Sequence, residues 1–217
     1  MAFRDHTVQT SGMAIYREQI FPRAMNLVMN TKTTREIRAR VCRELKGDVA
    51  EIGFGSGHNL PFLTPAVTRL RAVDPSVVGA KLAVGRVEAS PVPVELSGLD
   101  GESLPFEDAS VDAVLSTWTL CTIPDAVAAM REVRRVLRPG GAFHFVEHGV
   151  APDASVRKWQ DRLNPLEQRL ACGCNFNRDI PALVEAGGLH IDRMDRYYSE
   201  GGPKFASYTY EGVATPA

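Results

Sequence analysis

The stretch Val49-Ala50-Glu51-Ile52-Gly53-Phe54-Gly55-Ser56-Gly57-His58-Asn59-Leu60 organises the chain. A short apolar run enters a glycine-rich turn, and a helix-like segment follows. Glycine has no Cβ and accepts dihedrals closed to other residues, so a ligand can lie against such a turn's backbone. The spacing narrows the ligand. The dinucleotide fingerprint G-x-G-x-x-G would need glycines at 53, 55 and 58, but position 58 is His58. The glycines fall at 53, 55 and 57, with Glu51 two residues ahead of the first. Taken alone, this turn reads equally as a ligand loop or as a structural strand-to-helix connection.

About twenty residues further on, Leu70-Arg71-Ala72-Val73-Asp74-Pro75 reads as a second strand ending in a carboxylate. An acid placed there can accept hydrogen bonds from both hydroxyls of a ribose. It would serve NAD as well, so it does not select the ligand. Three further blocks follow: Leu99-Asp100-Gly101-Glu102-Ser103-Leu104-Pro105-Phe106, Val111-Asp112-Ala113-Val114-Leu115-Ser116-Thr117 and Val136-Leu137-Arg138-Pro139-Gly140-Gly141-Ala142-Phe143. In this order, with the E-x-G-x-G-x-G turn, the set resembles the motifs of class I S-adenosylmethionine (SAM) methyltransferases with a methyltransferase-11-type domain. The resemblance covers most of residues 47–148.

Size and composition bound what the chain can be. Its 217 residues suit one three-layer domain. With 44% hydrophobic residues it can fill a core, and long disorder is not expected. A formal net charge of −1 gives no global attraction to nucleic acid or to an anionic membrane. Cys42, Cys121, Cys172 and Cys174 show no disulfide framework, which points to a reducing compartment. No apolar run has the length of a membrane span, and the N-terminus lacks a hydrophobic signal core. The expectation is a soluble, cytoplasmic monomer or homodimer without stable membrane insertion.

Residues 1–45 form an N-terminal helical segment and 46–217 the ligand-binding domain, in one unit overall. Apolar spacing predicts helix from Met13 to Leu45, broken around Asn30-Thr31-Lys32-Thr33, with Thr33 or Thr34 as the second helix's cap. Arg35, Arg38, Arg40 and Arg43 read as a solvated face of that helix. Strands are predicted at about 48–53, 68–73, 92–97, 111–117 and 142–148. Helices are predicted between them at about 57–63, 76–88 and 124–137. Beyond these lie a helix from Asp153 to Leu170 broken or kinked at Asn164-Pro165, a helix at about 178–186, and strands near 189–196 and 205–213. Alternating strands and helices predict a parallel sheet covered on both faces, with ligands beyond the strands' carboxyl ends. With the resemblance, the expected fold is α/β: a three-layer, Rossmann-like, mostly parallel seven-stranded sheet with an antiparallel C-terminal strand.

The resemblance also implies roles. Gly53, Phe54, Gly55 and Gly57 would lie along the methionine and ribose parts of SAM, and Asp74 would take the ribose hydroxyls. Glu51 would orient the turn or meet the ligand ammonium. Pro75 and Ser76 would flank the adenine, with Asp100 accepting from its amine and the Gly101 amide meeting a ring nitrogen. A carbonyl of Ser116 or Thr117 would face the ammonium. Glu147 and His148, ending strand five, are the candidates for base or positioning group, on opposite faces by alternation. Tyr16 and Phe21 are candidate lid residues. SAM carries its own sulfonium and needs no activating metal. Cys172-x-Cys174 lacks a second ligand pair at zinc spacing, so no metal is expected, and Cys121 reads as a small packed residue.

Finer motifs narrow the family. Thr119-Leu120-Cys121-Thr122-Ile123-Pro124, Arg131 to Gly141, Glu147-His148, Trp159-Gln160, Asn164-Pro165 and Gly173-Cys174-Asn175-Phe176-Asn177-Arg178 resemble the animal methyltransferase-like thiol methyltransferases. Those relatives methylate small alkyl thiols, which implies a small-molecule thiol acceptor and S-adenosylhomocysteine as the second product. The alternatives are O- or C-methylation of a phenol, quinone or lipid-like acceptor, or a SAM-binding regulatory protein without turnover. The relatives begin with a hydrophobic anchor that this sequence lacks, so lipid attachment is not carried over.

Overall fold

Strand β1 (Gly47–Ile52) is buried from its second residue to its last, because Val49, Ala50 and Ile52 put apolar groups on both faces. It is the middle of the sheet. The computed structural model describes residues 12–97 and 101–217. Among them β1 is joined by β2 (Val67–Val73), β3 (Val94–Ser97), β4 (Val111–Thr117), β5 (Leu137–His148), β6 (Leu189–Tyr198) and β7 (Tyr208–Pro216). The spatial order is β3-β2-β1-β4-β5-β7-β6. The first five strands pair in parallel, and β7 runs antiparallel to both β5 and β6. Strand order reverses between β1 and β4, and Ile52 is in register with both Val73 and Ser116. The carboxyl ends of β1, β2 and β4 are therefore level at the switch point, where such sheets open a crevice.

Helices are α1 (Gly12–Ile15), α2 (Phe21–Val28), α3 (Lys32–Val41), α4 (Val77–Glu88), α5 (Ala126–Val136), α6 (Ala154–Leu170), α7 (Ile180–Ala186) and α8 (Lys204–Ser207). Met130 and Val133 of α5 and Val184 of α7 join Ile52, Val114 and Phe143 on one face of the sheet. On the other face, Ile37 and Val41 of α3 and Ala83 of α4 join Val49, Leu70 and Leu115. Each of these side chains larger than alanine contributes about 1.5–3 kcal/mol on full burial, so these two layers hold the sheet. By contrast α1, α2 and the π-helical turn Tyr16–Ile20 between them bury no residue fully. Among the described residues no helix is long and apolar enough to cross a membrane.

Several local expectations are corrected. Thr31, not Thr33 or Thr34, caps α3: its backbone is still extended, so its hydroxyl can accept from the Thr34 amide at 3.2 Å. After the glycine turn only a 3₁₀ turn forms, Leu60–Phe62, where a longer helix is predicted. Strand β5 begins at Leu137 rather than 142, with Val111 paired to Leu137 and a register shift before Ala113. Helix α6 runs unbroken through Pro165, which is exposed, so the carbonyl it leaves unpaired can face water. Its buried positions are Val156 and Gln160, while Trp159, Leu166 and Leu170 lie on the surface. Residues 1–11 and the Leu99-Asp100 pair lie outside the described residues.

Candidate active site

The turn after β1 is built around Gly53, whose φ is +74° and whose added Cβ would sit 2.0 Å from Thr119 Oγ1. A side chain there would push apart the connections that follow β1 and β4. The next step fixes the acid. The Gly55 amide donates to Asp74 Oδ2 at 2.8 Å and the Ser76 amide to Oδ1 at 2.7 Å. Burial raises the Asp74 carboxyl above its ordinary range, against the pull of these two amides. Each oxygen keeps a second lone pair for a ligand hydroxyl. Gly101 returns the chain close beneath the crevice, where a Cβ would meet Ile52 Cγ2 at 2.6 Å.

A cavity of about 740 Å³ opens at this point. Its wall includes Gly53, Phe54, Gly55, Asp74, Pro75 and Ser76, and further round Gly101, Thr117 and His148. Four other expected residues are placed behind the wall. Glu51 is fully buried and accepts from Asn59 Nδ2 at 2.8 Å; burial raises its pKa to about 8. Gly57 packs over Phe54 and Leu60. The Ser116 hydroxyl donates to Glu147 Oε1 at 2.7 Å, and the Thr119 amide donates to the same oxygen at 3.1 Å. Glu147 is thus a buried tie between β5 and the turn after β4, with its pKa pushed up to about 7 by burial. As a candidate catalytic group it is corrected: its carboxylate does not reach the cavity. Asp100 lies outside the described residues.

Arg38 corrects the solvated-face reading. It is 5% exposed, lines the cavity, and donates through Nη1 to Asn59 Oδ1 at 2.6 Å and Thr117 Oγ1 at 2.8 Å. Its guanidinium lies 4.9 Å from the Trp118 ring centre, and burial lowers its pKa to about 10. Its Nε and one Glu51 oxygen, Oε2, have no hydrogen-bond partner, leaving unfilled polar capacity beside the turn. One sequence signal existed. Arg38 follows Ile37 and precedes Val41 by three, on the face of α3 that packs inward.

Another part of the lining is sulfur and imidazole. His148 ends β5, and its Nε2 lies 3.1 Å from Cys174 Sγ. Cys121 joins them, with the three ligand atoms within 4.8 Å of one another. Cys174, not Cys172, belongs to this group, and Cys121 is buried as a packed residue is, with its sulfur beside the other two ligand atoms. The hydrogen bond from Cys121 holds the Cys174 thiol below its ordinary range, with His148 adding to it. Burial disfavours the charged form of His148, but the contact with Cys174 outweighs it and raises its pKa. The roof comes from the N-terminal segment, where Phe21, Met25 and Met29 line the cavity. Tyr16 does not; its hydroxyl donates to the Leu170 carbonyl at 2.6 Å.

A glycine turn, a buried acid at the end of the second strand and a cavity at the switch point are the arrangement expected of a class I methyltransferase. Comparison with known proteins agrees. The model of a family described as a methyltransferase domain matches residues 50–145. Human thiol S-methyltransferase TMT1A is 33% identical over 170 residues, covering 76% of this chain and 66% of the relative. Human thiol S-methyltransferase TMT1B is 32% identical over 192 residues, covering 81% of this chain and 78% of the relative. A geranyl diphosphate methyltransferase solved in complex with SAM superposes with a TM-score of 0.67 at 15% identity, covering 96% of this chain and 92% of that one. The chain belongs to the SAM-dependent methyltransferase family, in the company of the thiol S-methyltransferases.

Proposed function

We propose that this protein transfers a methyl group from SAM to the sulfur of a small alkyl thiol. The observation that carries the reading is one cavity whose lining holds both the Gly53–Ser56 turn with Asp74 and the group Cys121, His148 and Cys174. The relatives named as thiol S-methyltransferases support the choice of acceptor. Asp74 would hold the ribose hydroxyls, Pro75 and Ser76 the base, and the turn the methionine portion. Asp100 and the Gly101 amide would meet the adenine edge. Arg38 would offer a cation to the ligand's carboxylate, and Thr117 its backbone carbonyl to the ammonium. When bound, SAM supplies a methyl group on a positively charged sulfur.

The chain's task is then to place and desolvate the acceptor. A thiol is partly ionised near neutrality, so its sulfur is a competent nucleophile once water is excluded. The acceptor sulfur forms the new S–C bond as the methyl–sulfonium bond breaks, and the thiol proton leaves to solvent. The products are a thioether and S-adenosylhomocysteine. The protein should bind SAM and S-adenosylhomocysteine, not NAD, in calorimetry, and should methylate an alkyl thiol in preference to a phenol of matched size. Methylation of the phenol with the thiol untouched would overturn the acceptor. NAD binding in place of SAM would overturn the cofactor.

A further inference from the structure

Cys121, His148 and Cys174 reach one corner of the cavity from three places. Cys121 lies in the turn after β4, His148 is the last residue of β5, and Cys174 lies in the loop between α6 and α7. The corner is built deliberately by its surroundings. The backbone amide and the side-chain amide of Asn175 both donate to the Cys121 carbonyl at 3.0 Å. Arg178 Nη1 donates to the carbonyls of Leu120 and Ile123. These bonds bolt the Cys174 loop onto the Cys121 turn. The Phe176 ring stands edge-on to the His148 ring, with centres 6.1 Å apart, and limits its rotation. From the motifs in the last third of the sequence, Asn164 bonds to Asn175 and Phe176, and Gln160 to Phe176, beside this corner.

We propose that Cys121, His148 and Cys174 bind a soft divalent cation, Zn²⁺, leaving its fourth position open to the cavity, where the acceptor thiol is held as a thiolate. The first half stands on the cluster itself; the second rests on the thiol reading of the acceptor. Two sulfurs and an imidazole are ligands that suit zinc over hard cations such as Mg²⁺. Zinc bonds of about 2.3 Å to sulfur and 2.0–2.1 Å to nitrogen make tetrahedral edges of roughly 3.6–3.8 Å. The cluster's spread, 3.1 Å for Cys174 to His148 and at most 4.8 Å over all, brackets that range. Three protein ligands with one open position is the arrangement of a zinc site that takes a substrate. Two thiolates balance the ion's charge, so a third sulfur enters a site of no net charge. A coordinated thiol gives up its proton. The proton goes to solvent past Glu167, which also lines the cavity. Once methylated, the sulfur is a neutral thioether, a weaker ligand that leaves.

The test uses the full-length protein in a phosphine reductant, with Co²⁺ as the spectroscopic probe and Zn²⁺ as competitor. We expect one equivalent of Co²⁺ to give a sulfur-to-metal charge-transfer band with tetrahedral d–d intensity, removed by Zn²⁺. Cys174→Ser and His148→Ala should weaken Zn²⁺ by more than the roughly 10–100-fold lost with an outer partner. Cys172→Ser, in the same loop, should bind as the parent does. Because Cys121→Ser removes a fully buried thiol and can fail to fold, a second measurement uses the unmutated chain. Zn²⁺ should slow alkylation of Cys174 and leave Cys172 unprotected. Absence of the charge-transfer band together with unchanged alkylation of Cys174 overturns the site. An alkyl thiol that is turned over while no metal binds leaves the thiol reading standing and sinks this one. Metal binding without any alkyl-thiol turnover, with the d–d bands unmoved by added thiol, sinks the acceptor reading and the open-position role while keeping the cation site.

Discussion

At the scale of single residues, the acids around the glycine turn do different jobs set by their surroundings. Asp74 faces the cavity with both oxygens already fixed by backbone amides, so it is pre-aimed for a ligand. Asp74→Ala should weaken SAM binding by about 1.5–3 kcal/mol, the worth of hydrogen bonds to a charged acceptor. Calorimetry checks this, and unchanged affinity in a folded mutant would remove Asp74 from the site. Glu51 sits behind the wall with its pKa raised to about 8, burial being the main cause. The unfolded carboxyl ionises near pH 4.3. Below that both states hold the proton. Between that value and about 8 only the folded state holds it, so Glu51 costs stability progressively as pH rises. Glu51→Gln keeps an acceptor for Asn59 and removes this cost. Its melting temperature should therefore gain on the parent's between pH 5 and pH 8, most at the upper end. Parallel curves for the two proteins would contradict the assignment of a neutral buried acid.

At the scale of elements, the glycine turn, Asp74 and strand β4 were legible because each is a local pattern: a run, a spacing, an alternation. The burial of Arg38 was harder to read, since a helix carrying Arg35, Arg38, Arg40 and Arg43 looks polar until its inward face is known. The Cys121–His148–Cys174 corner could not be read from spacing at all. Its members are far apart in the chain and meet only because two loops are tied together. At Asn164-Pro165 the sequence left a break or a kink open, and the helix does not break there because an exposed proline interrupts only one hydrogen bond. The N-terminal segment is a further case. We propose that α2 acts as a lid: it lines the cavity with Phe21 and Met25 yet buries no residue fully, so the core does not depend on it. Tethers exist, from Tyr16 to Leu170 and from Arg86 to Asn26 at 3.2 Å. Deleting residues 1–30 should spare the fold and much of the SAM affinity but abolish turnover, because water then reaches the acceptor. Normal turnover in the truncated chain would show that the segment is no lid.

At the scale of the whole molecule, the chain divides its labour along the sheet. The strands up to β4 carry the wall assigned to the cofactor, and the turn after β4, with β5 and the segments after it, carries the wall assigned to the acceptor. The two halves meet where the loop ending in Arg178 grips the turn after β4. Gln160 anchors the same region from α6. It accepts from the Ala151 amide at 2.9 Å and donates to the carbonyls of Gly149, Phe176 and Phe205. This division makes the two walls separable by mutation. Arg178→Met removes the donor for two backbone carbonyls while leaving Asp74 and the glycine turn untouched. Leaving such acceptors unpaired costs about 1–3 kcal/mol each, so the melting temperature should fall by several degrees. SAM affinity should stay within about twofold, whereas kcat/KM for the acceptor should fall on the order of 100-fold, as expected when a reacting group is displaced by about an ångström. Fluorescence or calorimetric titration with SAM, set beside steady-state kinetics on the same preparation, decides the matter. An equal loss in both quantities would mean that the turn after β4 transmits the change to the cofactor wall, and that the two halves of the cavity work as one unit.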